Sequence, residues 1–229
     1  MAVPLSYVAR EYMNTDIGCQ YVFRSDASEL AASLSIWSPD GLELLMWSRV
    51  FFTEWGSDSL FSSSSGKLGG SAQNLREFLP IGFMMIMLSN SNLPSQNATV
   101  TWHGDNTSAL TWASENRCKA NQPASQIAFI AYSLIQRVTE ISLSHTIQMK
   151  SADMGTMDLV SRTYDDGQVD WPAHLKVDIS TFPTIGDLVT LCNPHKFGDL
   201  EPHHKVYANV SELMIRVKNG IPSGKPKWQ

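Results

Sequence analysis

Four acidic residues of this 229-residue chain fall where they could share chemistry. Asp26 closes a β-like run, YVFRSD. Glu77 lies in a segment of helical composition. Asp105 follows the run ATVTWHG, and Asp158 belongs to a short helix candidate near the end of the patterned region. In a mixed sheet the ends of neighbouring strands lie side by side, and a crossing helix can add further carboxylates. Carboxylates gathered in this way repel one another unless a divalent cation neutralises them. Mg2+ or Mn2+ suits such a donor set, because hard cations take oxygen ligands. Two such ions close together suit phosphodiester cleavage, one activating water and the other stabilising the leaving oxygen. Taken singly, an aspartate at a strand end is ordinarily a turn or helix cap, and a helical glutamate is ordinarily solvated. The chemistry rests on order, element type and spacing agreeing at once. Asp153, in SADMG, rivals Asp158 for the fourth place.

Positioning these groups requires a sheet with helices on it. Tyr21–Ser25, Leu30–Trp37 and Leu42–Phe52 read as strands, and the turn Ser38-Pro39-Asp40-Gly41 joins the last two, which predicts an antiparallel meander. Residues 56–70 are rich in serine and glycine and read as a loop. Ser71 can cap the segment AQNLREFLPIGFMMIML, a predicted helix in which Pro80 implies a kink or a late start. Ala98–Trp102 is the fourth predicted strand. Asn106–Asn116 and Pro123–Glu140 are predicted helices, the second carrying the stripe Ile127, Ile130, Ala131, Leu134, Ile135 and Val138. Ile141–Met149 is the fifth strand and Ser151–Arg162 a short helix. The order predicts an α/β fold: a mixed five-stranded sheet, three antiparallel strands first, flanked by helices, with a C-terminal extension. Residues 1–19 read as a lead-in, 20–162 as the domain and 163–229 as an extension with too few apolar groups for a core of its own.

Composition narrows the function classes. The chain is 43% hydrophobic and 17% charged, which excludes a disordered tail and a collagen-like chain. Seventeen Lys+Arg against 22 Asp+Glu leave a formal net charge of −5, against a strongly basic nucleic-acid glove but compatible with a local basic strip. Cys19, Cys118 and Cys192 are scattered, with no C-x-x-C spacing, so neither a disulfide framework nor a zinc site is expected. A reducing, intracellular compartment, cytoplasm or nucleus, is the expectation. No signal peptide is visible. The longest apolar stretch, 78–88, contains Pro80 and Gly82 and is too short for a bilayer, so no membrane is expected among the partners.

The succession of strand aspartate, helix glutamate, strand aspartate and helix aspartate resembles that of the ribonuclease H fold. It looks closest to the ribonuclease H domains attached to the reverse transcriptases of retroelements. RSDAS at 24–28 looks like the first-strand motif with Asp26, NLREF at 74–78 like the first-helix motif with Glu77, GDNTSALTW at 104–112 like the fourth-strand motif with Asp105, and MDLVSR at 157–162 like the final box with Asp158. The last two are the more specific, and together the four span most of residues 20–162. The resemblance implies a ribonuclease H-like fold and a metal-dependent endonuclease that cuts the RNA strand of an RNA–DNA hybrid, with Mg2+ or Mn2+ on Asp26, Glu77, Asp105 and Asp158. It also implies a partner polymerase domain; nothing here resembles a polymerase palm, so that part is absent, on another chain, or lost. His145, in ISLSHTIQM, falls near a histidine that such proteins use for proton movement or product release.

Other groups admit two readings. Trp102 and Trp112 flank the DNTS motif, and Trp37, Trp47 and Trp55 lie in the meander; bases could stack on them, but core packing suits at least Trp47 and Trp112. Asn106, Thr107 and Ser108 can cap a helix or aim N–H groups at a phosphate. Arg117, Lys119, Arg137 and Lys150 could contact a nucleic-acid backbone. His103 reads as structural, and His203-His204 lacks a further ligand at metal spacing. The alternative function is a ribonuclease H-like module without catalysis, serving nucleic-acid binding or protein interaction. A transposase or resolvase nuclease of the same superfold, cutting DNA, is a third.

Overall fold

The computed structural model describes residues 20–52, 70–118 and 123–180. Five strands form one sheet: β1 (Tyr21–Ala27), β2 (Ala31–Trp37), β3 (Leu44–Phe51), β4 (Thr99–Gly104) and β5 (Ser142–Gln148), in the spatial order β3-β2-β1-β4-β5. The first three pair antiparallel, while β4 pairs parallel with both β1 and β5. Among the described residues four α-helices accompany them: α1 (Gly70–Asn90), α2 (Thr107–Ser114), α3 (Pro123–Thr139) and α4 (Gly155–Arg162). The fold is thus α/β, a mixed sheet with its antiparallel strands first, flanked by helices.

Tight turns make the meander. Gly41 takes φ 70°, which only glycine adopts without strain, and its N–H bonds Ser38 C=O to close the β2–β3 turn. Parallel pairing of β4 with β1 needs a long crossover, and α1 lies within it. This helix is buried all round from Leu75 to Leu88, as its nearly continuous apolar sequence dictates. It packs on β1 and β2 and against α2 and α3. Pro80 lies inside it as one uninterrupted helix, with neither a late start nor an early stop. Gly82 permits the close approach of α3: a Cβ there would meet Ile135 Cδ1 at 3.1 Å.

The two sheet faces differ. One carries Phe23, Ala27, Ala32, Leu34, Ile36 and Trp102 and joins α1–α3 in the main core. Phe78 of α1 stands at its centre, with ring contacts to Trp102, Trp112, Phe129 and Tyr132. Both Trp102 and Trp112 are therefore core residues and not stacking platforms. The pairs Arg24↔Ser35, Asp26↔Ser33, Ser33↔Arg49 and Ser35↔Trp47 set the other, polar face. There α4 covers β1 and β2, and Trp47, Val160 and Val169 form a second, smaller core with Leu44, Trp171 and Leu175.

Residues 163–177 continue from α4 onto this second core. Trp47 Nε1 donates to Pro172 C=O, Ser48 Oγ to Val177 C=O, and Val177 N–H to Trp47 C=O. Arg49, its side chain 2% exposed, donates to Thr163 C=O and pairs with Asp166, which also pairs with Lys176. Among the described residues no helix is long and apolar enough to cross a membrane. Trp55, Lys119, His203-His204, Cys19, Cys192, the 56–69 loop and the basic tail lie outside the described residues.

Candidate metal centre

Register builds the centre. Parallel β1 and β4 pair Arg24 with His103, and two residues further lie Asp26, next to the end of β1, and Asp105, directly after β4. Asn106, directly after Asp105, caps α2 by accepting from Ala109 N–H, and its amide donates to Asn74 of α1 at 3.0 Å. The helix start is therefore tied to α1 one turn before Glu77. One oxygen from each of Asp26, Glu77 and Asp105 lies within 4.8 Å of the others. Asp26 and Glu77 are each 6% exposed, and Asp105 is half-buried, so the group opens to solvent on the Asp105 side.

Each of the three carboxylates receives a side-chain donor from a different segment. Ser161 Oγ donates to Asp26 Oδ2 at 3.0 Å, Gln73 Nε2 to Glu77 Oε1 at 2.8 Å, and Ser151 Oγ to Asp105 Oδ2 at 2.9 Å. Gln73 also donates to Ala27 C=O, which fastens α1 to the end of β1. These donors fix one oxygen of each carboxylate. Gln73, four residues before Glu77, was legible from helical spacing; Ser161 stands in the MDLVSR box; Ser151 carried no signal in the sequence.

The group stores electrostatic tension. Burial above all, then the charges of Asp26 and Asp105, push Glu77 up to about 9, against hydrogen bonds from Gln73 and the Ala27 backbone. Burial raises Asp26 as well, Asp105 and Asp158 add to the rise, and the Ser161 bond and Arg162 oppose it. Without a cation Glu77 carries a proton at neutral pH. The donor set fits a hard divalent ion: all three contribute oxygens, and ligand oxygens about one octahedral Mg2+ stand roughly 3–4 Å apart, close to the spacing here.

Two expected members stand apart from this group. Asp158 is 44% exposed at its side chain, and its Oδ1 accepts from Arg162 Nε at 2.6 Å. It is near enough for its charge to act on Asp26, yet it does not join the three. Asp153, its rival, is exposed in the 3-10 turn Ser151–Met154 and is likewise outside the group. His145 is displaced for a reason of register. On the border strand β5 it pairs with Thr101, four residues before Asp105, about 13 Å along the strand direction. Its ring meets Thr101 Oγ1 and Ser144 Oγ and not the carboxylates. His103 is buried, and burial with the Arg24 and His145 charges lowers it to about 3, so it stays neutral.

Comparison of the chain with protein-family models, curated proteins and solved structures finds no match.

Proposed function

We propose that the chain is a ribonuclease H-like, metal-dependent endonuclease that cleaves the RNA strand of RNA–DNA hybrids, as part of or derived from a retroelement reverse transcriptase. The observation that carries this reading is the convergence of Asp26, Glu77 and Asp105 within 4.8 Å. Those residues sit on β1, on α1 and directly after β4, in the order of the quoted motifs, and the sheet order β3-β2-β1-β4-β5 suits the same superfold. The substrate assignment rests on the motif resemblance alone.

Asp26, Glu77 and Asp105 would hold Mg2+ or Mn2+, with Asp158 at the solvent side as a further ligand once turned from Arg162. Bound there, the ions supply water activation and stabilisation of the leaving oxygen. The chain's own part is to ionise and orient oxygens. Ser161, Gln73 and Ser151 each immobilise one carboxylate, so the set is formed before an ion arrives. Glu77 must surrender its proton on loading.

The second reading, a module without catalysis, is favoured by one observation: the fourth carboxylate is engaged by Arg162. One assay separates the two. Labelled RNA–DNA hybrid, duplex DNA and duplex RNA are incubated with Mg2+ or Mn2+ and the protein, with Asp105→Asn as control. Cutting of the hybrid RNA strand that is lost in the variant supports the nuclease. Cutting of duplex DNA alone moves the assignment to a DNA nuclease, and no cutting leaves the silent module.

A further inference from the structure

Asp158 and Arg162 lie one turn apart on α4, joined by a 2.6 Å bond from Nε to Oδ1, with side chains 44% and 63% exposed. The helix itself is anchored at the cluster. Ser161, between the pair and the sheet, donates its hydroxyl to Asp26, while Ser28 Oγ donates to Ser161 C=O. Asp158 and Ser161 lie one turn apart on α4, so the helix that carries Asp158 is the one fixed to Asp26. An exposed ion pair of this kind is weak, and a guanidinium fork fits a phosphate better than the single bond it makes here. The charge of Arg162 also acts on Asp26 and Glu77.

We infer that Arg162 is a positioning residue that holds Asp158 off the Asp26–Glu77–Asp105 cluster and exchanges it for a backbone phosphate of the nucleic acid. The fourth carboxylate then joins the cation site only when substrate phosphate is present. The inference rests on the reading that the cluster binds Mg2+ or Mn2+. It makes the fourth ligand, and not the binding of an ion by the other three, depend on the substrate, and it explains why a carboxylate in the right helix is turned aside.

The test is a cycle of variants titrated with Mn2+ alone, without nucleic acid: wild type, Asp158→Asn, Arg162→Gln and the double variant, with Asp105→Asn as the reference for site binding. Both positions are solvent-exposed, and thermal melting checks that each variant folds. In the wild-type background Asp158→Asn should change Mn2+ affinity less than about twofold, because Asp158 is already withdrawn; in the Arg162→Gln background it should lower affinity about tenfold. Equal effects in both backgrounds overturn the inference and leave the metal site standing. Absence of any Mn2+ binding that Asp105→Asn removes overturns both. In a second arm, a labelled RNA–DNA hybrid is bound in Ca2+. Arg162→Gln should weaken binding and lower the salt slope by about one phosphate contact; an unchanged slope and affinity overturn the exchange.

Discussion

Ser161 donates its hydroxyl to Asp26 Oδ2 at 3.0 Å, joining residues 135 positions apart in the sequence. The bond places β1 and α4 in one unit. It also sets the direction of the Asp26 carboxylate before any ion is present.

Replacing Ser161 with alanine removes a hydrogen bond to a buried carboxylate. The expected cost is about 1–3 kcal/mol, read as a lower denaturation midpoint with unchanged slope. The Asp26 carboxyl, deprived of a bond that lowers it, should titrate still higher in an NMR titration. Mn2+ affinity should fall with it. A variant as stable as wild type, with Asp26 titrating as before, would show that the hydroxyl orients nothing.

Glu77 governs the response to pH. Its folded-state value of about 9 lies above the ordinary carboxylate range, so between the two the folded protein holds a proton that the unfolded chain has lost. Its contribution to stability is full in acid and declines as pH rises through that window. Without metal, melting temperature should fall from about pH 5 to pH 9, and Glu77→Gln should flatten the fall and melt higher at the alkaline end. A variant with the same pH profile as wild type would refute this assignment.

Cation binding should release the same proton. Below about pH 9, Mn2+ affinity should rise with pH, and calorimetry near neutrality in buffers of different ionisation enthalpy should detect proton release. Binding enthalpy independent of the buffer would contradict a protonated Glu77.

Asp105→Asn should abolish Mg2+-dependent hydrolysis while the fold persists. The amide keeps the shape and the neighbouring Ser151 contact but removes charge that the ions require. In metal-free protein the melting temperature should hold or rise slightly, since Asp105 adds to the repulsion at Glu77 and Asp26. Hydrolysis at the wild-type rate would remove Asp105 from the mechanism.

Trp171 meets Trp37 and Trp47 edge-on, with ring centroids 6.1 and 5.7 Å away. Truncation to alanine should cost about 1–3 kcal/mol from these two contacts. Tryptophan fluorescence during denaturation measures it, and an unchanged midpoint would mean that the second core adds no stability.

Much of this arrangement was legible in the sequence because it is written in local patterns. The SPDG turn, the apolar run of α1 and the stripe of α3 each declare their element without tertiary help. Asp26 and Asp105 could be placed because strand ends fall at fixed points of such patterns, and Glu77 because it lies within the helical run. Boundaries were less legible: β4 runs to Gly104 and not Trp102, since pairing with β1 and β5 extends it through His103, a residue of no strong strand preference. The position of His145 depends on parallel register, which no local pattern encodes. The Asp158–Arg162 spacing was visible, but the choice between an ion pair and a metal site is settled by surroundings the sequence does not write down.

The contact between Val177 and Trp47 has a meaning for solubility. β3 is a border strand of the sheet, and such a strand offers unpaired N–H and C=O groups to any second chain. The backbone of 176–177 runs parallel beside Trp47 and takes up one of these carbonyls. Asp166 and Lys176 set charges along the same side. The segment that follows the last helix therefore acts as a guard against edge-to-edge association, and a protein shortened before it should aggregate before it unfolds.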